Sequence, residues 1–325
     1  MPGISETRTL DAVLTTTMDN YRKTLYDNIF DNYPLLSWTN GKLGQAMRGG
    51  SIKRVLDGGN SIYEHLLYGT NSTAKSYSGA ESLDTTTQDG MTMANFVWKQ
   101  YAATISITGI QKRNNSGEAA MINLLESKIK QAEMSLKDLM SQGAWGDGTG
   151  NGAKVLTGLQ AIVSATTSLG GINPTTYTWW KSNVTSTAGS FAAGGLGKMR
   201  TTFNTLSMGN DKPDIIFCDQ NVYEYYEAAL QPIQRITNTK AADGGFENLT
   251  FKGIPIIFDR DCPSGYMYFL NSKYLNLVVH RDADMATTPF ITTVDQDITS
   301  SKILFQGNMT TNNRRMLGVI TGFTA

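Results

Sequence analysis

Residues 69–90 read GTNSTAKSYSGAESLDTTTQDG, and residues 118–142 read EAAMINLLESKIKQAEMSLKDLMSQ. The first stretch has only Tyr77 and Leu83 as large apolar residues, too few to offset the entropy of ordering it alone. Such a segment is either disordered or docked. Its flanks favour docking: Tyr101, Ala103, Ile105 and Ile107 alternate with polar or small residues at the period of a strand. The earlier flank, residues 51–68, carries Ile52, Val55, Ile62, Tyr63, Leu66 and Leu67. The simplest arrangement is one long two-stranded hairpin, which is at best marginally stable in water. An extended arm in a globular protein therefore implies a neighbouring surface, most simply another copy of the chain. Tyr63, Lys75, Tyr77 and Leu83 are its candidate assembly residues. The polar loop at residues 238–245, with Lys240, Asp243 and Gly245, is a second candidate contact.

The second stretch reads as a long helix that carries the arm. Ile122, Leu125, Ile129, Ala132, Leu136 and Leu139 recur at alternating steps of three and four, and Met121, Leu124 and Met140 widen the stripe into a core-facing helix. Ile122, Leu125, Ile129, Leu136 and Leu139 are the predicted core contacts. Asn115 with Glu118 has the spacing of a capping box, Ser116 is the rival cap, and Gly143 follows the last predicted turn. At 1.5 Å per residue such a helix is roughly 37 Å long, the width of a small domain.

Composition narrows the function. The chain has 325 residues, 40% of them hydrophobic, and its 28 basic and 28 acidic residues cancel. That length buries a sizeable core and suffices for two domains, and zero net charge supplies no basic field for gripping nucleic acid. The pairs Lys53-Arg54, Lys112-Arg113 and Arg314-Arg315 read as solvated surface. No apolar run approaches a membrane span, and the first residues lack a signal-peptide pattern, so a cytoplasmic setting is expected. Cys218 and Cys262 have no metal or disulfide spacing and read as reduced, one buried and one in a turn.

Further along, residues 1–49 read as an arm whose helical stripe (Leu10, Val13, Leu14, Met18, Tyr21, Leu25, Ile29) is stopped by Pro34. Helices are predicted over residues 196–208 and 221–236, and strands over 214–218, 249–251, 254–258, 266–271, 275–280, 290–294, 303–305 and 317–323. Without a regular βαβ alternation this is an α+β protein. Chemistry is scarce. His65 and His280 read as surface or rim histidines, and HExxH, CxxC and GxSxG are all missing. The loop GAWGDGTGNG at residues 143–152 lacks the Gly-Lys-Ser/Thr ending of a phosphate cradle. As a calcium loop it would place Gly158 where a bidentate Glu belongs, so it reads as a sharp turn. Trp179-Trp180 read as aromatics packing a domain edge, with a stacking platform as the alternative. No catalytic residue, cofactor or metal is expected.

The order of these elements, with Gly146-Asp147-Gly148-Thr149-Gly150, Gly158-Leu159, Gly171-Ile172-Asn173, Tyr177, Trp179-Trp180, Pro213-Asp214-Ile215-Ile216 and Phe251-Lys252-Gly253-Ile254-Pro255, resembles the major capsid proteins of tailed phages, with the fold named after the Hong Kong 97 phage. The resemblance covers nearly the whole chain. It implies an N-terminal arm (1–49), an extended E-loop (50–105), a peripheral domain with the spine helix (106–158, completed by about 281–313) and an axial domain with a mixed sheet and flanking helices (159–280, completed by about 314–325). It further implies self-assembly into pentamers and hexamers of an icosahedral shell around double-stranded DNA, without sequence-specific contact. E-loops would lie across neighbours, with scaffolding, portal and decoration proteins as further partners. The place would be the virion capsid, assembled in the host cytoplasm, with no membrane partner. A cleaved scaffolding segment is not expected, because the arm pattern starts within the first dozen residues. Some relatives join subunits by an isopeptide bond between an E-loop lysine and an asparagine; the corresponding residues would be Lys75 with Asn308, Asn312 or Asn313. Ser, Thr and Gly around Lys75 leave nothing apolar to exclude water, so no crosslink is expected. The alternatives are an encapsulin-like shell, a self-associating protein forming sheets or tubes and, in another class, a cytoplasmic hydrolase acting through His280.

Overall fold

In a computed structural model of the chain, residues 33–41, 52–114, 118–230, 249–292 and 296–325 are described, without the side chains of residues 112, 114 and 118–125. The helical stripe of residues 10–29, both candidate caps at Asn115 and Ser116, the side chains of Ile122 and Leu125, and the loop with Lys240, Asp243 and Gly245 lie outside them. The fold is mixed α+β and separates into two compact units. Of the described residues, unit 1 holds those within 101–139 and 282–305, and unit 2 those within 33–100, 140–281 and 306–325. Residues 140–158 and 306–313, drawn with the long helix from sequence, thus cluster in unit 2.

The strands in chain order are β1 (Lys53–Leu56), β2 (Ile62–Leu67), β3 (Met91–Phe96), β4 (Lys99–Thr108), β5 (Asn183–Thr185), β6 (Gly189–Ser190), β7 (Ile215–Cys218), β8 (Thr250–Phe251), β9 (Ile254–Phe258), β10 (Met267–Leu270), β11 (Leu275–His280), β12 (Ala286–Thr287), β13 (Ile291–Thr292), β14 (Ile298–Thr311), β15 (Gly318–Ile320) and β16 (Phe323–Thr324). The helices used below are α1 (Pro34–Thr39), α2 (Gly109–Asn114), α3 (Glu118–Trp145), α4 (Leu159–Ile162), α5 (Phe191–Leu206) and α6 (Gln220–Leu230).

In unit 1, β12 and β13 pair antiparallel with the first half of β14, and β4 also pairs with β14. Tyr101 meets Phe305 edge-on at 6.3 Å. Lys128 of α3 donates to the Ser106 carbonyl (2.8 Å) and to Gln111 Oε1 (2.9 Å), and Arg113 of α2 pairs with Asp297 at 2.8 Å.

Unit 2 is built on a six-stranded sheet ordered β5-β15-β10-β7-β9-β8. Side chains of β7 alternate across it, as strand geometry requires. Ile216 and Cys218 face the cluster formed by α5 and α6 (Phe191, Met199, Phe203, Leu206, Val222, Tyr226). Phe217 meets the rings of Trp38 (5.7 Å) and Trp145 (5.9 Å). Burial on both faces explains why residues 215–218 are uninterruptedly apolar. Cys262, read as a turn residue, is buried like Cys218, and burial raises both thiols above their ordinary pKa.

Helix α3 runs to Trp145, about two and a half turns past Leu136, so Gly143 is a helical residue and not its stop. At 28 residues it is about 42 Å long. Leu136 is 1% exposed and Ile129 is half-buried, but Leu139 is 53% exposed. The buried arc runs through Leu136, Met140 and Ala144, and Leu139 sits about 100° behind Met140 on the helix. The stripe had been drawn too wide. One strand also differs from expectation: β14 is fourteen residues long where only residues 303–305 read as strand. Its second half, QGNMTT, is polar by type yet buried from Gly307 to Thr311, because its side chains are hydrogen-bonded inside unit 2.

Arg314 corrects another reading. Far from solvated, it is fully buried, and its guanidinium donates to the carbonyls of Ile162 (2.8 Å), Ala161 (3.0 Å), Ser164 (2.8 Å) and Thr167 (3.0 Å). Burial pushes its pKa down to about 10, which leaves it charged at neutral pH. The guanidinium's rigid fork of N–H donors gathers these four carbonyls, two of which, Ile162 and Ser164, also accept from Ser182.

Replacing Leu136 by Asp puts a carboxylate where the side chain is 1% exposed, and is expected to cost several kcal/mol, a large part of a domain's stability. Chemical denaturation of the Leu136→Asp chain measures this, and a curve superimposing on wild type would contradict it.

Candidate assembly surface

The arm leaves unit 2 as a ribbon of two strands, but not the two the sequence suggested. β2 pairs antiparallel with β3 from Ile62↔Phe96 to Leu67↔Met91. The expected outer strands go elsewhere: β1 pairs in parallel with β11, and β4 with β14. The alternation of residues 101–107 reports a strand of unit 1, while β3 went unread because Thr92, Ala94 and Asn95 dilute its apolar pattern.

One face of the ribbon is held by its own subunit. Ile62, Glu64, Leu66, Ala94 and Phe96 are buried. Glu64 accepts from Thr310 Oγ1 at 3.0 Å and from Arg54 at 3.3 Å, so its carboxylate is paired inside and outside at once. The amide of Asn95 donates to the carbonyl of Gly170 at 3.0 Å. Gly170 has φ +63°, and an added Cβ would sit 2.7 Å from that of Ala94, so only glycine fits this close approach. Asn308 donates to the Val97 carbonyl (2.8 Å) and Thr157 Oγ1 (3.1 Å), and accepts from the amides of Thr157 and Met309 (2.9 Å each). Tyr68 stacks on Trp179 at 5.1 Å and 13°, and the Trp180 indole donates to the Leu169 carbonyl at 3.1 Å. Trp179-Trp180 therefore hold the arm's root, and the ring face offered as a stacking platform is covered by Tyr68.

The opposite face is bare. Tyr63, His65 and Leu67 on β2 alternate outward with Met91 and Met93 on β3, in the pairs Leu67↔Met91 and His65↔Met93. Leu67 is 79% and Met91 76% exposed. A buried side chain of this size is worth about 1.5–3 kcal/mol, so a contiguous row left in water marks an interaction face. Beyond it, residues 69–90 are almost entirely exposed, with Tyr77 and Leu83 among them. Their hydrogen bonds stay within the loop and its root: Ser72 to Gln88 (2.8 Å), Thr86 to Asp84 (3.0 Å), and the amides of Tyr68 and Gly69 to the Gly90 carbonyl. Lys75 donates to the Ser82 carbonyl at 2.7 Å and faces Glu81 at 3.9 Å. Each ion there is half in water, which leaves it little energetic weight.

The remaining candidates are placed as follows. His280 meets the edge of Trp98 (5.9 Å), whose indole donates to the Gly59 carbonyl, and Arg281 pairs with Asp57 at 2.8 Å. The Asp147 carboxylate accepts from the amide and hydroxyl of Thr149, which lowers its pKa and closes the turn after α3, where Gly148 has φ +80°. Among the described residues no cluster of His, Cys, Asp and Glu is set to hold a metal ion, and no helix is long and apolar enough to cross a membrane. Of the asparagines named for a crosslink, Asn308 is buried with both amide hydrogens donated, Asn313 accepts from the Arg315 amide at 3.2 Å, and Asn312 is exposed.

Solved structures share this arrangement. The capsid asymmetric unit of cyanophage A-1(L) superimposes over 94% of this chain and 97% of its own with a TM-score of 0.67 at 15% identity. The chain has the fold of phage capsid proteins. The capsid of a native GTA particle matches at TM-score 0.60, 10% identity and 94% of each chain. The holo-SrpI encapsulin complex of Synechococcus elongatus matches at 0.56, 7% identity, 99% of this chain and 96% of that one. No protein-family model matches the sequence, and no curated protein does. The capsid fold at such low identity rests on topology, so the neighbours are structural shell proteins without lending this chain any one residue's role.

Two outcomes follow from the geometry. Gly170→Val forces a β-branched residue into a left-handed conformation against Ala94, and should cost about 1–3 kcal/mol while opening residues 57–98 to protease. Unchanged proteolysis would show that the ribbon is not held there. With Lys75 solvated and Asn308 fully engaged, assembled protein boiled in denaturant should run as one band near 35.5 kDa. A ladder that vanishes in Lys75→Ala would refute this.

Proposed function

We propose that the chain is a major capsid protein that assembles into pentamers and hexamers of an icosahedral shell enclosing double-stranded DNA. The observation that carries the proposal is the arm: a ribbon bound by one face to its own subunit and bare and apolar on the other, ending in a loop without a core, on a chain with a phage capsid fold. A bare face of this kind is satisfied by a neighbouring copy, which supplies an identical surface at every position of a closed shell. The shell would have its place in the virion, after assembly in a host cytoplasm. Equal numbers of acidic and basic residues suit DNA enclosed without sequence-specific contact. The division into N-terminal arm, E-loop, peripheral domain and axial domain belongs to the same proposal, and so do scaffolding, portal and decoration partners. Tyr63, Tyr77 and Leu83 are its proposed assembly residues on the arm, with Lys75 closing the tip; Lys240, Asp243 and Gly245 are proposed at the second contact.

The match to an encapsulin supports a second reading, a non-viral shell of the same fold. The contents of particles purified from the native source discriminate the two: packaged DNA favours the capsid, a loaded enzyme the encapsulin-like shell.

Deleting residues 70–89 removes exposed residues whose hydrogen bonds stay within the arm, so the shortened chain should melt as wild type yet fail to form particles. Sedimentation velocity and circular dichroism together measure this. An unfolded deletion variant, or one that still assembles, would contradict the proposal.

A further inference from the structure

Helix α5 carries glycines at 194, 195 and 197, residues that weaken a helix. Gly195 has a reason inside the subunit, since a Cβ there would meet the Phe191 ring at 2.6 Å. Gly194 and Gly197 have none: an added Cβ would meet nothing within 4 Å. They instead open a cleft of about 310 Å³ beside Thr185, on the edge strand β5. Lys198 and Arg200 line it together with Thr201 and Thr202, and no carboxylate and no apolar side chain does.

The cations there keep donor capacity to spare. Lys198 uses one ammonium hydrogen on the Ala188 carbonyl, and exposed Arg200 forms no ion pair among the described residues. Thr202, buried, and Thr185 share one long hydroxyl contact of 3.4 Å, while Thr201 donates back to the Gly197 carbonyl. Two cations and a hydroxyl pair around an open cleft match one ligand chemistry, a multivalent oxyanion accepting several charge-assisted hydrogen bonds. The absence of an aromatic or aliphatic wall disfavours a nucleoside or a carbohydrate face.

We propose that this cleft binds an oxyanion of the phosphate class, held by Arg200 and Lys198 over the bare backbone of Gly194 and Gly197. This does not depend on the shell reading. The probe is inorganic phosphate, titrated calorimetrically into the full chain at ionic strength held constant with sodium chloride. Saturable one-to-one binding is expected. Arg200→Ala should weaken it about tenfold or more, the worth of a charged hydrogen bond. Gly197→Leu should abolish it by filling the cleft, while melting at or above the wild-type temperature because leucine favours helix and meets no neighbour. Saturable binding that both variants retain would overturn the site. A stabilisation without saturation, equal in all three chains, would be the general effect of an excluded anion and would overturn it too.

Discussion

A two-stranded ribbon has no stability of its own, so the arm exists only because one of its faces is bound. The buried carboxylate of Glu64, bridged to Thr310 and Arg54, is the polar centre of that attachment. Around it the Asn95–Gly170 and Asn308–Val97 hydrogen bonds fix the second strand, and Tyr68 on Trp179 fixes the point where the loop departs. Removing any one partner would leave a buried polar group unsatisfied, which costs more than the bond itself contributes. The arm's direction is thus set by a few polar contacts, and its outer apolar row is left for something else.

The socket explains a strand that looks wrong for a core. The second half of β14 places Asn308, Thr310 and Thr311 at buried positions, and each is hydrogen-bonded to the ribbon, its root loop or β11's approach. Arg314 does the same for the loop after α4, where four carbonyls converge on one guanidinium. Unit 2 therefore combines an apolar sheet, buried on both faces, with a polar edge that grips irregular backbone. A closed shell of identical subunits would need both: a rigid body and an arm held at a defined angle.

Much of this was legible in the sequence wherever a single period ruled. The long helix, the buried strand at residues 215–218 and the coreless loop at 69–90 all follow from spacing or composition, and the order of elements pointed to the fold that solved capsids share. Illegible were the places where polar residues are interior. Nothing in QGNMTT announces a strand, and nothing in Arg314-Arg315 separates the buried arginine from the exposed one. Strand partners were also beyond reach: residues 101–107 alternate as a strand must, but alternation does not say whether the partner is β2 or β14. At Leu139 a regular heptad-like step continued past the point where the helix turns its buried face toward Met140 and Ala144. Of the candidate surface, Tyr63, Tyr77 and Leu83 were visible from composition, whereas Leu67, Met91 and Met93 required the register of β2 with β3.

Electron microscopy of the concentrated, purified full-length chain tests the central claim most directly. Rings of five or six subunits, or closed shells, with each arm extended over a neighbouring copy, are the expected result. A population of compact monomers at every concentration, with Leu67, Met91 and Met93 still open to solvent, would contradict it.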